Sequence, residues 1–258
     1  MSALLTGHRE GFKAGFTAVT TVDDASGIAL GVLKLAAGAV HRVQPEHETA
    51  WLLLHGALAS DGQDIARRSL FDDAPKALHV CAGVPVAFKA LDDCELLVCA
   101  TANTRAFGPM LYTGAKDEHR GRGAVADAAH RIVRTVFDTR NAPPQAELVL
   151  GEVVNFPGRW SSWPPHHHAQ PELYHYRFDR PHGYGHAELG DQVFKVRAND
   201  TLRILDGANH AQCAAPGYAM WYAWVVRHLP GAKYEAVTFE EQHRWTMEPG
   251  AGFWAPSR

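Results

Sequence analysis

The densest ligand chemistry in the chain lies in Pro164-Pro165-His166-His167-His168-Ala169-Gln170-Pro171-Glu172. In an extended strand, side chains alternate faces at roughly 3.3 Å per residue, so His166 and His168 point the same way about 7 Å apart, close enough to share one ion. His167 points to the other side. Glu172 follows after a short bend. His210 stands in Asp206-Gly207-Ala208-Asn209-His210, where a Gly-containing turn would return a later strand to the first. Three imidazoles and a carboxylate suit zinc, manganese or iron and leave a coordination position open, as catalytic sites do. With 16 histidines in the chain, a loose surface cluster is the competing reading. The His-x-His pair, the Glu four residues after its second member and the later Gly-x-x-His favour ligation.

An ion held this way polarises a carbonyl and a neighbouring hydroxyl, which acidifies the C–H between them. On a hydroxy-aldehyde acid the outcome is an aldose–ketose isomerisation that uses one divalent ion and no organic cofactor. Unless hydride shifts directly between carbons, a base is required, and Glu152, His175 and Glu188 are the candidates. A substrate carboxylate calls for a cation. Arg159 and Arg177 flank the ligand loop and are expected to supply it, because a guanidinium engages both oxygens. Tyr174, Tyr176 and Tyr222 are read mainly as core aromatics with phenols available to a substrate hydroxyl. Arg120, Arg122 and Arg131 read more readily as solvated charges than as carboxylate partners.

These residues need strands to position them. Short apolar runs such as Ala29–Leu35, Thr49–His55 and Glu95–Ala100, broken by Gly38, Gly56, Gly62 and Gly83, predict an antiparallel sandwich or barrel in the first half. After the ligand loop, strands are expected around Tyr174–Phe178, Gly183–Glu188, Gln192–Val196, Thr201–Leu205, Ala211–Ala214 and Met220–Val226, joined by turns such as Arg180-Pro181-His182-Gly183. Between the halves lies a polar, Gly-rich stretch with a short helix expected over Ala124–His130. The expected division is a first barrel over 1–105, a connector over 106–146 and a metal-binding barrel over 147–258. The first barrel lacks His-x-His, so His41, His47 and Glu48 are assigned to structural support or a subunit contact rather than to a second ion.

The His-x-His-x-x-x-Glu pattern with a distant His resembles the cupin superfamily. Gly158-Arg159-Trp160-Ser161-Ser162-Trp163-Pro164-Pro165-His166-His167-His168, followed by Glu172-Leu173-Tyr174-His175-Tyr176-Arg177, is similar to the 5-deoxy-glucuronate isomerases of inositol catabolism, and the Pro-Pro-His-x-His core to the sister 5-keto-4-deoxyuronate isomerases. The resemblance implies an all-β bicupin of two jelly-roll barrels. It also implies conversion of 5-deoxy-glucuronate to 5-dehydro-2-deoxy-gluconate. Ala169-Gln170-Pro171 is shorter than the insert of the inositol enzymes and nearer to the pectin-pathway spacing, which leaves the choice of uronate open. A metal-dependent dioxygenase and a non-enzymatic sugar-acid-binding barrel are the rival readings.

A net charge of −3 gives no global field for nucleic acid or an acidic membrane, and no apolar run reaches the length of a membrane span. The expectation is a cytoplasmic protein with a small-molecule partner, with homo-oligomers allowed. Cys81, Cys94, Cys99 and Cys213 show no Cys-x-x-Cys spacing and are expected as reduced, mostly buried thiols.

Overall fold

The computed structural model describes residues 2–60 and 62–256, and its pairings among these are antiparallel throughout. In the first half the long strand Glu48–Ser60 is shared between two layers. Its first part pairs with Ala77–Val80 and Cys94–Thr101, and its end with Gln63–Arg67 and Val86–Ala90. Gly56 marks the changeover at φ +97°. A Cβ there would fall 2.3 Å from the Asp93 carbonyl oxygen, so only glycine fits the bend.

In the second half a seven-stranded sheet runs from Leu4–Leu5 through Thr201–Ile204, Glu172–Phe178, Met220–Arg227, Leu148–Asn155 and Arg131–Phe137 to Glu118–Arg120. Packed on it is a five-stranded sheet in the order Gln192–Arg197, Tyr184–Leu189, His210–Ala214, Trp160–His167 and Thr238–Phe239. The halves are thus cupin-like double-layered β structures. The hydrogen-bond ladders end at the sheet edges and do not close round the second one.

Three cores follow from the period-two alternation of strands whose faces are both buried. One lies inside each half. The third lies between the two large sheets and joins Leu30, Leu52 and Leu97 of the first half to Leu150, Leu173 and Trp221 of the second. Along Glu172–Phe178, Leu173 enters this shared core while Tyr174 and Tyr176 point into the second half. Each such fully buried aliphatic or aromatic side chain contributes about 1.5–3 kcal/mol.

The stretch 106–146 is more than a polar linker. Met110–Tyr112 extends the first half's sheet beside Ala77–Val80, whereas Glu118–Arg120 and Arg131–Phe137 belong to the second half. Leu4–Leu5, at the start of the chain, pairs with Thr201 and Leu202. The helix expected over Ala124–His130 is reduced to a turn at Val125–Asp127. All three of its residues have positive φ, which an α-helix does not accommodate. No helix is long and apolar enough to cross a membrane among the described residues.

Candidate metal centre

Trp160–His167 and His210–Ala214 are neighbouring antiparallel strands in which His166 lies opposite His210. Their rings meet edge to face, 4.5 Å between centroids. His168 follows the strand end on the same face as His166, and Glu172 opens the next strand. Glu172 Oε2 lies 3.2 Å from His168 Nε2 and 3.5 Å from His210 Nε2. The ligand atoms of His168, Glu172 and His210 fall within 4.8 Å of one another, with all three residues buried. His166 borders this triad through His210 and is not part of its tightest grouping. His167 points to the opposite side, as alternation requires, with Nδ1 2.7 Å from Asn209 Oδ1.

The protonation pattern of the triad favours a cation. His210 Nδ1 sits 3.1 Å from the Ala208 carbonyl and His166 Nδ1 3.3 Å from that of Pro164. A carbonyl only accepts, so each Nδ1–H donates and each Nε2 keeps its lone pair. His210 Nε2 has no hydrogen-bond partner, and a Glu172 carboxylate oxygen lies 3.5 Å from it. Two buried acceptors facing each other are costly without a positive charge between them. Burial also pushes Glu172 up, against the hydrogen bond from His168, and drives His166 down to about 4 and His210 well below the usual imidazole range. Neutral imidazoles beside a carboxylate are a donor set that a divalent ion fits.

Glu172 and His166 line a cavity of about 100 Å³ together with Arg131, Ser162, Tyr174, Tyr222 and Tyr234. Tyr174 and Tyr222 stack 4.6 Å apart, and their hydroxyls lie 3.2 and 3.3 Å from Ser162 Oγ. Ser162 adopts φ +51°, a left-handed turn between the paired parts of its strand. The Tyr222 hydroxyl donates to Ser161 Oγ at 3.0 Å. Burial raises Tyr222 to about 12 and Tyr174 well above its ordinary value, so both remain neutral phenols. The C-terminal segment closes the other side. Thr238–Phe239 pairs with His166 and His167, and Tyr234 meets His168 edge-on at 4.8 Å.

Several expected site residues lie elsewhere, for reasons of strand alternation. Glu152 faces the layer between the halves, where Oε1 accepts from Arg67 Nη2 at 2.6 Å and Arg134 Nη1 at 3.0 Å. His175 faces the same layer, its Nδ1 2.9 Å from Thr201 Oγ1 and its ring near Phe12. Arg177 points that way too, over the Phe12 ring and 2.5 Å from Glu95 Oε1. Glu188 is on the outward face of Tyr184–Leu189, opposite the buried Ala187. Arg159 donates to the Ala126 carbonyl at 3.0 Å on the turn outside the cavity. Of the tyrosines, Tyr174 and Tyr222 line the cavity, whereas Tyr176 donates to Gln212 Oε1 at 2.7 Å deeper in the core. Glu152, His175, Glu188, Arg159, Arg177 and Tyr176 are therefore not brought to the lining of this cavity.

The sequence does not mark Tyr234, and it ranks Arg131 as a solvated charge ahead of a carboxylate partner. Its guanidinium is turned inward, where Nη1 donates to Ala129 O at 2.9 Å and Nη2 to Trp163 O at 3.3 Å. No carboxylate lies within ion-pair distance among the described residues, and burial depresses its pKa. The signal available beforehand was its place at the head of an apolar strand, Ile132-Val133.

Stacked antiparallel sheets with histidine and glutamate donors converging inside one half define a protein of the cupin class. A model of the KduI/IolB family matches residues 4–246, and the chain belongs to that family. The 5-deoxy-glucuronate isomerase of Geobacillus kaustophilus is 25% identical over 242 residues, 84% of each chain. An IolB-like protein of Salmonella typhimurium superimposes with a TM-score of 0.81 at 21% identity, covering 95% of this chain and 99% of that one. The Bacillus subtilis oxalate decarboxylase, a protein with Mn(II) centres, gives a TM-score of 0.61 at 12% identity over 91% of this chain and 78% of its own.

Proposed function

We propose that the protein isomerises a deoxy-uronic acid, 5-deoxy-glucuronate to 5-dehydro-2-deoxy-gluconate, with one divalent ion held by His168, Glu172 and His210 and completed by His166. The gathering of three buried ligand residues with donor atoms within 4.8 Å of one another carries this reading, and the isomerase names of the relatives supply the substrate. Zinc is the first choice for such a nitrogen and oxygen donor set, with manganese or iron as alternatives. When bound, the ion supplies electrophilic polarisation of adjacent carbonyl and hydroxyl oxygens.

The chain's own groups do the rest. Tyr174, Tyr222 and Ser162 form a run of hydroxyls that orients sugar oxygens and holds a proton beside them. Tyr234 and Phe239 shield the reacting carbons from water. The acid lining this cavity is Glu172, itself a ligand, while Glu152, His175 and Glu188 face elsewhere. That placement favours hydride transfer between the two carbons over proton abstraction by one of those three. The cysteines are all free, which fits a reducing cytoplasmic compartment.

The test is elemental analysis of the purified protein, followed by proton NMR of the metal-loaded enzyme with 5-deoxy-glucuronate in deuterium oxide. Close to one ion per chain and loss of the aldehyde signal are expected, with no solvent deuterium on the hydroxymethyl carbon formed from the aldehyde. Metal-free protein after metal-replete expression, or a loaded enzyme inert toward deoxy-uronates, would discard the proposal. Deuterium on that hydroxymethyl carbon would discard the hydride route alone.

A further inference from the structure

We infer that Arg131 is the residue that selects an acid over a neutral sugar, by receiving the substrate carboxylate. The inference deepens the isomerase reading and rests on it for the sugar portion of the ligand.

Arg131 is the first residue of Arg131–Phe137 and lies between Arg120 and Asn155 on the neighbouring strands. Its two recorded hydrogen bonds go to main-chain carbonyls, which orient a guanidinium without neutralising it. Its remaining N–H groups are left for the cavity that also contains His166, Glu172, Tyr174 and Tyr222. The fork is held in place from behind. A Cβ on Gly121 would fall 2.3 Å from the Ala129 carbonyl oxygen and 3.2 Å from Arg131 Nη1, so the Gly121 backbone packs directly on the group that aims the guanidinium.

A partly buried cation with no acidic partner is costly, and a protein keeps one where a ligand answers it. Of the other arginines among the described residues, only Arg120 also lines this cavity, and it is half exposed and paired. Arg120 is paired with Glu118, Arg134 with Asp117 and Glu152, and Arg177 with Glu95. Arg131, His166 and Glu172 line one cavity, so a uronate can reach the edge of the donor set with its carbonyl end while its carboxylate meets the fork, both oxygens engaged.

The test compares zinc-loaded wild type, Arg131→Met and Arg131→Lys by titration calorimetry. The ligands are gluconate, which cannot isomerise as an aldose, and its neutral counterpart sorbitol. Wild type should prefer the acid, and Arg131→Met should weaken gluconate by about 30–100-fold, which brings the acid-to-polyol ratio near one. Arg131→Lys keeps the charge and should recover part of that ratio without the two-point geometry. Zinc content and melting temperature establish that each variant is folded.

Equal gluconate affinity in wild type and Arg131→Met overturns the assignment. So does a wild type that does not distinguish acid from polyol, or a parallel loss of both ligands. The calorimetry needs no turnover, so an enzyme that selects acids through Arg131 and yet fails to isomerise deoxy-uronates would refute the catalytic reading alone.

Discussion

Replacing Glu152 by alanine should destabilise the protein without touching its chemistry. Glu152 is fully buried between the halves, and one carboxylate oxygen accepts from both Arg67 and Arg134, whose side chains are at most 1% exposed. Removing one partner of a buried ion pair costs about 3–5 kcal/mol, because the other charge stays in the interior. Here the loss falls at the low end. Arg134 keeps Asp117 and the carbonyls of Leu70, Phe71 and Asp73, and Arg67 keeps those of Leu53, Leu70 and Asp73. A loss of about 3 kcal/mol, at about 2–4 °C per kcal/mol in a chain of this size, lowers the melting temperature by about 6–12 °C. Scanning calorimetry measures the shift, and isomerase assays well below the transition measure turnover. An unchanged melting temperature would refute the energetic argument. Turnover lost in a variant as stable as wild type would instead restore Glu152 as the base.

His210→Ala should remove most of the bound metal and lower turnover by at least about 100-fold while the circular dichroism spectrum is retained, and a variant with full metal content would contradict the triad. Stability should fall on acidification. Burial holds His228 at about 4, and its Nδ1 accepts the Tyr234 N–H at 2.9 Å, so the folded state needs it neutral. Unfolded imidazoles take up protons below about 6.5, whereas this one does so only near 4. The stability is therefore complete above about 6.5 and is lost as pH falls toward 4. Urea midpoints at pH 7 and pH 5 check this, and an equal or higher midpoint at pH 5 would refute it. Burial raises the Cys94 thiol to about 11 and Cys99 further. Both should resist a maleimide reagent in the native protein and react in denaturant, and rapid native labelling would show the burial to be wrong.

The ligand loop was readable because strand geometry forces His166 and His168 to one side and His167 to the other, whatever surrounds them. The same rule separated Tyr174 and Tyr176 from His175 and Arg177, yet it gave no means of deciding which set faced the donors. In a strand covered on both faces, each set is buried, and polarity ceases to mark the outside. Glu152 shows the consequence. A glutamate in an apolar strand reads as an active acid, and only the arrival of Arg67 from far along the chain reveals a structural pair. Arg131 ranked second as a carboxylate partner for the converse reason, since an arginine after a glycine-rich stretch looks solvated until the Trp163 carbonyl is seen to draw it inward.

The pairing of Leu4 and Leu5 with Leu202 and Thr201 bears on how the polypeptide is made. Leu4 and Leu5 are translated about 200 residues before their hydrogen-bonding partners, so they must stay unpaired while the earlier half folds around its own core. Edge completion of the seven-stranded sheet is thereby deferred until residues 201 and 202 have been made. A nascent chain halted before residue 201 has no complete layer from which a working site could be assembled.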